Sequence, residues 1–298
     1  MKRGTKMILQ GALIVTVFGL ILSLGALAAA RFDISHVIPF ASQTVEPPTL
    51  TPSVDFQEFN VLGQMVEEPF SNITVDAQTC NVNLVPSSDG TCQVEYPTDD
   101  QLECSVSVQQ DTLHVVFRDH RSWDSDVSFS LVPMDITLYL PQSQYEQLKL
   151  DSVSGDITVP ENFSFSKAQV GTTSGKLQFY AGVSGDLALE TVSGDLEVTH
   201  VEPKSLSLTS TSGSMDASHV AVMETWDIDS VSGEVTLTDC DAQALVIRTI
   251  SGDVKASLRT DKTFSTQTVS GDVDVPSGAS GSSCKVSTVS GDITCAIQ

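Results

Sequence analysis

The sequence predicts an all-β protein, a parallel β-helix or β-solenoid, on three observations. Eight Ser-Gly pairs, at Ser154, Ser174, Ser193, Ser212, Ser232, Ser251, Ser270 and Ser290, follow one another at intervals of 20, 19, 19, 20, 19, 19 and 20 residues. A unit of that length is too short to bury a core alone and does so only by stacking on the next. Around each pair apolar and polar residues alternate, the period of a strand with one buried and one wet face. Beyond residue 31 no long helical pattern appears.

Residues 1–31 begin with Lys2, Arg3 and Lys6 and then carry no charge from Met7 to Ala30, 24 residues. As a helix this run would span roughly 36 Å, enough to cross a bilayer. The expectation is a cytoplasmic tip and a single-pass transmembrane helix in the cell membrane, with the bulk of the chain extracytoplasmic by the positive-inside bias. A cleaved signal peptide competes, because Ala26-Leu27-Ala28 resembles a processing site. Both readings export the chain.

Residues 32–58 contain Pro39, Pro47, Pro48 and Pro52 and read as a semi-extended linker. Residues 59–146 form an acidic leading segment of short alternating runs, such as Ile73 to Val75, Leu113 to Phe117 and Ile136 to Leu140. Turn chemistry such as Pro86-Ser87-Ser88-Asp89-Gly90 separates them. This segment is expected to cap the repeats with hairpins or irregular coils.

The repeats occupy residues 147–298. Counting each Ser as zero, positions −6 and −4 are mostly apolar (Leu206 and Leu208, Trp226 and Ile228, Leu245 and Ile247), as are +3 and +5 (Met215 and Ala217, Val235 and Leu237). These positions are expected to face inward. Position −2 is always Ser or Thr, and +1 is always Gly: Gly155, Gly175, Gly194, Gly213, Gly233, Gly252, Gly271 and Gly291. A tight turn between two strands needs the positive φ that glycine adopts at little steric cost. A further pair, Ser184-Gly185, falls about halfway round a coil where the return turn should be. The return segments are irregular, and the variable face of a solenoid is the better place to look for binding.

Charge excludes nucleic acid as a partner. The chain has 38 acidic against 15 basic side chains, net −23, with only Arg118 and Arg121 as cations between Phe32 and Gln147, whereas phosphate binding rests on Lys and Arg. Such a surface is soluble and self-repelling outside a cell, or it binds cations or a cationic wall component.

Six cysteines in an exported chain point to disulfides. Cys284 and Cys295 flank the last turn at inward positions, where a bridge would staple the open end of the stack. Cys92 and Cys104 sit nearly symmetrically about the Pro97 to Asp100 turn, and Cys80 lies 12 residues before Cys92 across the Ser87 to Gly90 turn, so one of these two pairs is expected to form. Free buried thiols are the alternative. The residue after Gly is acidic in most coils, and Asp253, Asp272 and Asp292 form a candidate cation ladder, since stacked carboxylates repel and a hard cation would relieve them. The competing reading is a local side-chain hydrogen bond within each turn.

Catalysis finds no support in the residues. The solenoid cations, among them Lys176, Arg248 and Lys262, are scattered; His36, His114, His120, His200 and His219 show no metal-ligand spacing; and there is no G-x-S-x-G or P-loop. No cofactor and no catalytic residue is expected.

The recurring T-V-S-G-D pattern (Thr191 to Asp195, Thr268 to Asp272, Thr288 to Asp292) behind a basic tip and apolar run resembles the bacterial β-strand-repeat family labelled "putative adhesin", a domain of unknown function. The resemblance covers about residues 60–298. It implies a non-enzymatic envelope protein, with a cell-wall polymer, a surface ligand or a partner membrane protein as its counterpart. The alternative is an envelope-stress accessory that binds a cation, a cationic peptide or a partner ectodomain, and a glycan-active β-helix enzyme is a third reading.

Overall fold

The computed structural model describes residues 60–121, 134–277 and 281–298, all inside one compact unit running from Asp55 to Gln298. Each Ser-Gly coil is a pair of strands joined at the turn. In the Ser212 coil, Ser205–Ser212 enters the turn and Met215–Ser218 leaves it. Entering strands stack in one parallel sheet and leaving strands in a second. Equivalent positions fall in register, Leu187 on Leu206 on Trp226 on Leu245 in the first sheet and Leu196 on Met215 on Val235 in the second. Because side chains alternate across a strand, the four apolar positions of each coil meet between the sheets. Leu206, Leu208, Met215, Ala217, Trp226 and Ile228 are all buried. The extra residue of the 20-residue interval between Ser212 and Ser232 is absorbed at Met223 and Glu224, where the register of Ala221–Ser232 against the next strand shifts between Val222 and Thr225.

The expectation of eight coils wound in sequence is corrected on two counts. First, part of the leading segment is itself solenoid. Strands Asn72–Ala77 and Asn81–Pro86 form a coil, and Thr112–Asp119 with Asp135–Leu140 form another. With the eight Ser-Gly coils these two make ten. Asn72–Ala77 pairs with Thr112–Asp119 on one side and with Gln144–Ser154 on the other, so the chain's first coil is second in the stack. Against the outer coil, of Thr112–Asp119 and Asp135–Leu140, lies an antiparallel cap of Asn60–Val66, Cys92–Thr98 and Leu102–Gln109.

Second, the far end repeats the device. The Ser290 coil does not follow the Ser270 coil but sits between it and the Ser251 coil: Ser251 bridges Ser290, and Ser290 bridges Ser270. Ala244 to Arg248 pairs with Ser283 to Ser287, which in turn pairs with Thr263 to Gln267. The last coil of the chain is therefore covered on both sides, with Cys284, Val286, Ile293 and Cys295 buried. The Ser270 coil is outermost, and its Val273 is 43% exposed.

Lys262 holds the exchanged order. It belongs to the outermost coil yet is 1% exposed. Its Nζ donates to Ser282 Oγ at 2.7 Å in the inserted coil, to Ala242 O at 2.9 Å one coil further, and to Thr260 Oγ1 at 2.8 Å, and it forms an ion pair with Asp241. One ammonium ties three stacked coils.

The expected N-terminal transmembrane helix finds no counterpart among the described residues. The described residues contain no helix, and none long and apolar enough to cross a membrane. Residues 1–31, on which that expectation falls, and the linker at 32–58 lie outside the described residues.

Candidate functional site

The Ser-Gly turns stack into one continuous edge, built around the glycines. Gly155, Gly175, Gly213, Gly233, Gly271 and Gly291 have φ between 146° and 158°. Each also lies against the backbone of the coil before it in the stack: a Cβ on Gly213 would overlap the Gly194 carbonyl, and one on Gly233 the Gly213 carbonyl. Gly194 and Gly252 share this close approach. In the first coil, which has no Ser-Gly pair, the Cys80 carbonyl meets Gly155 instead.

With the chain turned this way, the N–H of the residue after Gly points along the stack, and a side chain from the neighbouring coil accepts it. Asn81 Oδ1 accepts Asp156 N at 2.8 Å, and Asp156 Oδ1 accepts Lys176 N at 2.7 Å. Asp195 Oδ1 accepts both Ser214 N and Ser214 Oγ at 2.9 Å. At the far end Asp253 Oδ1 accepts Asp292 N at 2.9 Å, and Asp292 Oδ1 accepts Asp272 N at 2.8 Å. The aspartates are neither local turn caps nor free carboxylates: they are inter-coil acceptors.

The candidate cation ladder Asp253, Asp272, Asp292 is brought onto neighbouring turns, in the spatial order Asp253, Asp292, Asp272. One oxygen of Asp253 and one of Asp292 already serve a backbone N–H. Among the described residues no group of three or more His, Cys, Asp or Glu is arranged to hold a metal. Asn81 performs the same task without charge, which gives a prediction. Asp253→Asn and Asp292→Asn should each leave stability within about 0.5 kcal/mol. Asp253→Ala and Asp292→Ala, which orphan an N–H, should each cost about 1–2 kcal/mol, read as urea midpoints. Equal losses for Asn and Ala would refute the acceptor role.

Beside this ladder the residues preceding the serines project outward. Half-buried Val231 is followed along the edge by Ile250, Val289 and Val269, which are 50%, 49% and 76% exposed. The buried Ser or Thr at position −2 turns its hydroxyl inward, and Thr191 Oγ1 accepts Gly194 N at 3.0 Å.

All six cysteines are free thiols, which corrects the bridges expected between Cys284 and Cys295 and between Cys92 and either Cys104 or Cys80. Cys284 and Cys295 are split between opposite sheets, as are Cys92 and Cys104. Facing sheets stand about 10 Å apart, beyond the ~4.4–6.8 Å of a disulfide's Cα atoms. Burial pushes the Cys92, Cys240 and Cys295 thiols up to about 11, and Cys104 and Cys284 up to about 12. They stay protonated and unreactive.

Sequence reasoning missed a column on the return corners. His200, His219 and Asp239 have φ of 57°, 56° and 53°. The two imidazoles stack at 4.7 Å and 11°, His219 Nε2 lies 3.5 Å from Asp239, and Arg259 clasps the Asp239 carboxylate at 2.9 and 3.1 Å. Hydrogen bonds from Arg259 hold that carboxyl below its usual range. The spacing of 19 residues between the histidines, one coil, is the signal that finds them.

These features define a β-solenoid repeat domain with an edge of stacked turns. The chain belongs to the Toastrack DUF4097 family, whose pattern matches residues 70–298. No functionally curated protein matches it. Among solved structures it is similar to a "putative adhesin" of Parabacteroides distasonis (15% identity, 80% of this chain and 98% of that one, TM-score 0.48). It is also similar to a "putative lipid binding protein" of the same species (16%, 80% and 97%, 0.47). A "putative adhesin" of Bacteroides fragilis matches at 15%, 80% and 97%, with a TM-score of 0.44.

Proposed function

We propose that this protein is a non-enzymatic interaction module of the cell exterior, of adhesin type, that contacts its counterpart along the stacked-turn edge. The observation that carries the reading is the exposed row Ile250, Val289 and Val269 beside the aspartate ladder. Exposed apolar side chains scattered singly need no explanation, but a contiguous row rimmed by polar groups marks an interaction surface. The spacing along the row is fixed by the coil repeat, about 4.8 Å, so it suits a counterpart that is itself extended, such as a cell-wall polymer. Export is supported by the uncharged run from Met7 to Ala30 behind Lys2, Arg3 and Lys6.

The test uses cells producing the full chain and the triple variant Ile250→Ser, Val269→Ser, Val289→Ser. The expected results are protein accessible to an external protease, and co-sedimentation of the purified chain with isolated cell-wall sacculi that drops about tenfold in the triple variant at unchanged melting temperature. Cytosolic protein, or equal sedimentation of both chains, would refute the proposal.

A further inference from the structure

At the capped end of the stack, opposite the Ser270 turn, a cavity of about 510 Å³ opens between the end of strand Asn60–Val66, the connection through Glu67 to Phe70, and the turns at Gly90 and Pro141. Its floor is aromatic. The Phe70 ring stacks on Tyr145 at 6.1 Å and 15°, and Tyr145 stacks in turn on Phe165 at 5.9 Å. Tyr145 is fixed, since its Oη donates to Pro141 O at 2.8 Å and the ring is 3% exposed. The opposite wall is fixed as well. Asp89 Oδ1 accepts from Ser87 Oγ at 2.8 Å, Thr91 N at 3.0 Å and Thr91 Oγ1 at 2.7 Å, which locks the Gly90 turn.

The rim is anionic and uncompensated. Glu67 and Glu68 are exposed and make no hydrogen bond or ion pair among the described residues. Among the described residues no Lys, Arg or His lines the cavity. Nearby in the leading segment, Arg118 is engaged by Asp76 and Arg121 by Asp119. The volume falls in the range of small-molecule sites, which combine apolar walls with a few polar groups that fix orientation.

Three classes of occupant can be weighed on this lining. An anion is repelled by two free carboxylates. A bare metal ion requires converging oxygen ligands, whereas the lining offers the Phe70 ring, backed by Tyr145, and the Met65 side chain. A neutral apolar molecule leaves the carboxylates unused. An ammonium or quaternary ammonium group carried on an apolar body uses all of it, with the charge at Glu67 and Glu68 and the body on Phe70 and Met65, where a cation near an aromatic face is further stabilised.

We propose that this cavity binds a small amphiphilic organic cation. The site is separate from the stacked-turn edge, so it stands whether or not that edge is an adhesive surface.

The experiment is calorimetric titration of the full chain with benzyltrimethylammonium, with benzyl alcohol as the neutral and benzenesulfonate as the anionic analogue. Saturable one-to-one binding is expected, at least about tenfold tighter than for either analogue and weakened by salt. Glu67→Gln with Glu68→Gln should weaken it at least about tenfold. Glu190→Gln with Asp261→Asn, which removes two exposed carboxylates that do not line the cavity, should leave it unchanged and so separates the cavity from the general attraction of a chain of net charge −23. Phe70→Leu keeps an apolar side chain and should still weaken binding. No saturable binding, equal binding of benzenesulfonate, or equal losses in the two carboxylate pairs would each overturn the proposal.

Discussion

Lys262→Met is expected to lower the melting temperature by on the order of 10 °C. Removing one partner of a buried ion pair costs about 3–5 kcal/mol, and a domain of this size shifts about 2–4 °C per kcal/mol. The ammonium is satisfied by four partners; its removal takes the counter-ion from Asp241, which keeps only the neutral donors Thr260 Oγ1 and Ala242 N, and leaves the Ala242 carbonyl with Ser282 Oγ alone at 3.2 Å. The damage should be local first, because Lys262 fastens the outermost coil: limited proteolysis should cut between residues 262 and 275 well before the body of the stack. Asp241→Leu combined with Lys262→Met should recover most of the loss, since a buried pair replaced as a whole by apolar groups is often near neutral. The effect should also depend on pH. Burial raises the Asp241 carboxyl, but hydrogen bonds from Lys262 and Thr260 and the ammonium charge outweigh it, and the group sits below its usual range. A depressed carboxyl stabilises the fold above its unfolded value near ~3.9 and loses that contribution as pH falls through the folded value. The difference between wild type and Lys262→Met should therefore be full at pH 7 and shrink below about pH 4. A variant that melts within 2 °C of wild type at pH 7, with no early cleavage, would remove Lys262 from this role.

The order of the coils was the part of the fold least visible in the sequence. Alternation at Leu206, Leu208, Met215 and Ala217 specifies which residues face inward, and every such coil fits every other, so spacing alone cannot say which pair is adjacent. Composition does carry a trace of the exchange. Where other coils place Leu, Val or Ile at position −4, the Ser270 coil has Thr266, as suits an outermost coil, while the Ser290 coil has Val286 and buried Cys284. The coils built of Asn72–Ala77 with Asn81–Pro86 and of Thr112–Asp119 with Asp135–Leu140 read only as hairpins or irregular coils because they lack the Ser-Gly turn that marks the rest. The aspartates were legible as a pattern and not as a role: their acceptor function depends on an N–H one coil away, which no local window contains. Lys262 reads in the sequence as one more scattered cation, and only the exchanged stacking turns it inward. The cysteines misled for a related reason, since inward-facing residues on consecutive strands belong to facing sheets rather than to neighbours.

Gly213→Ala is expected to divide the solenoid. Two costs fall on the same atom: φ of 152° is strained for any residue with a Cβ, at about 1–3 kcal/mol, and the new methyl would overlap the Gly194 carbonyl carbon and oxygen. Flexible side chains can swing away from such a clash, but these are main-chain atoms held by the parallel ladder between the Ser193 and Ser212 coils. Relief requires the two coils to separate at the turn. Repeat proteins are stabilised by nearest-neighbour interfaces, so weakening one interface should turn a single urea transition into two, with the coils on the capped side of Gly194 and those beyond Gly213 melting apart and the apparent m-value falling. Gly233→Ala should act in the same way one interface along, against the Gly213 carbonyl. Two controls isolate the causes. Gly90→Ala meets nothing within 4 Å at φ 77° and should pay only the conformational cost, about 1 kcal/mol. Gly171→Ala, in mid-strand with the Asp151 side chain at 3.5 Å as its nearest contact, should be neutral or stabilising by up to about 1 kcal/mol. If Gly213→Ala unfolds in one transition with a loss no larger than that of Gly90→Ala, close coil approach at the turns is not what the repeated glycine secures.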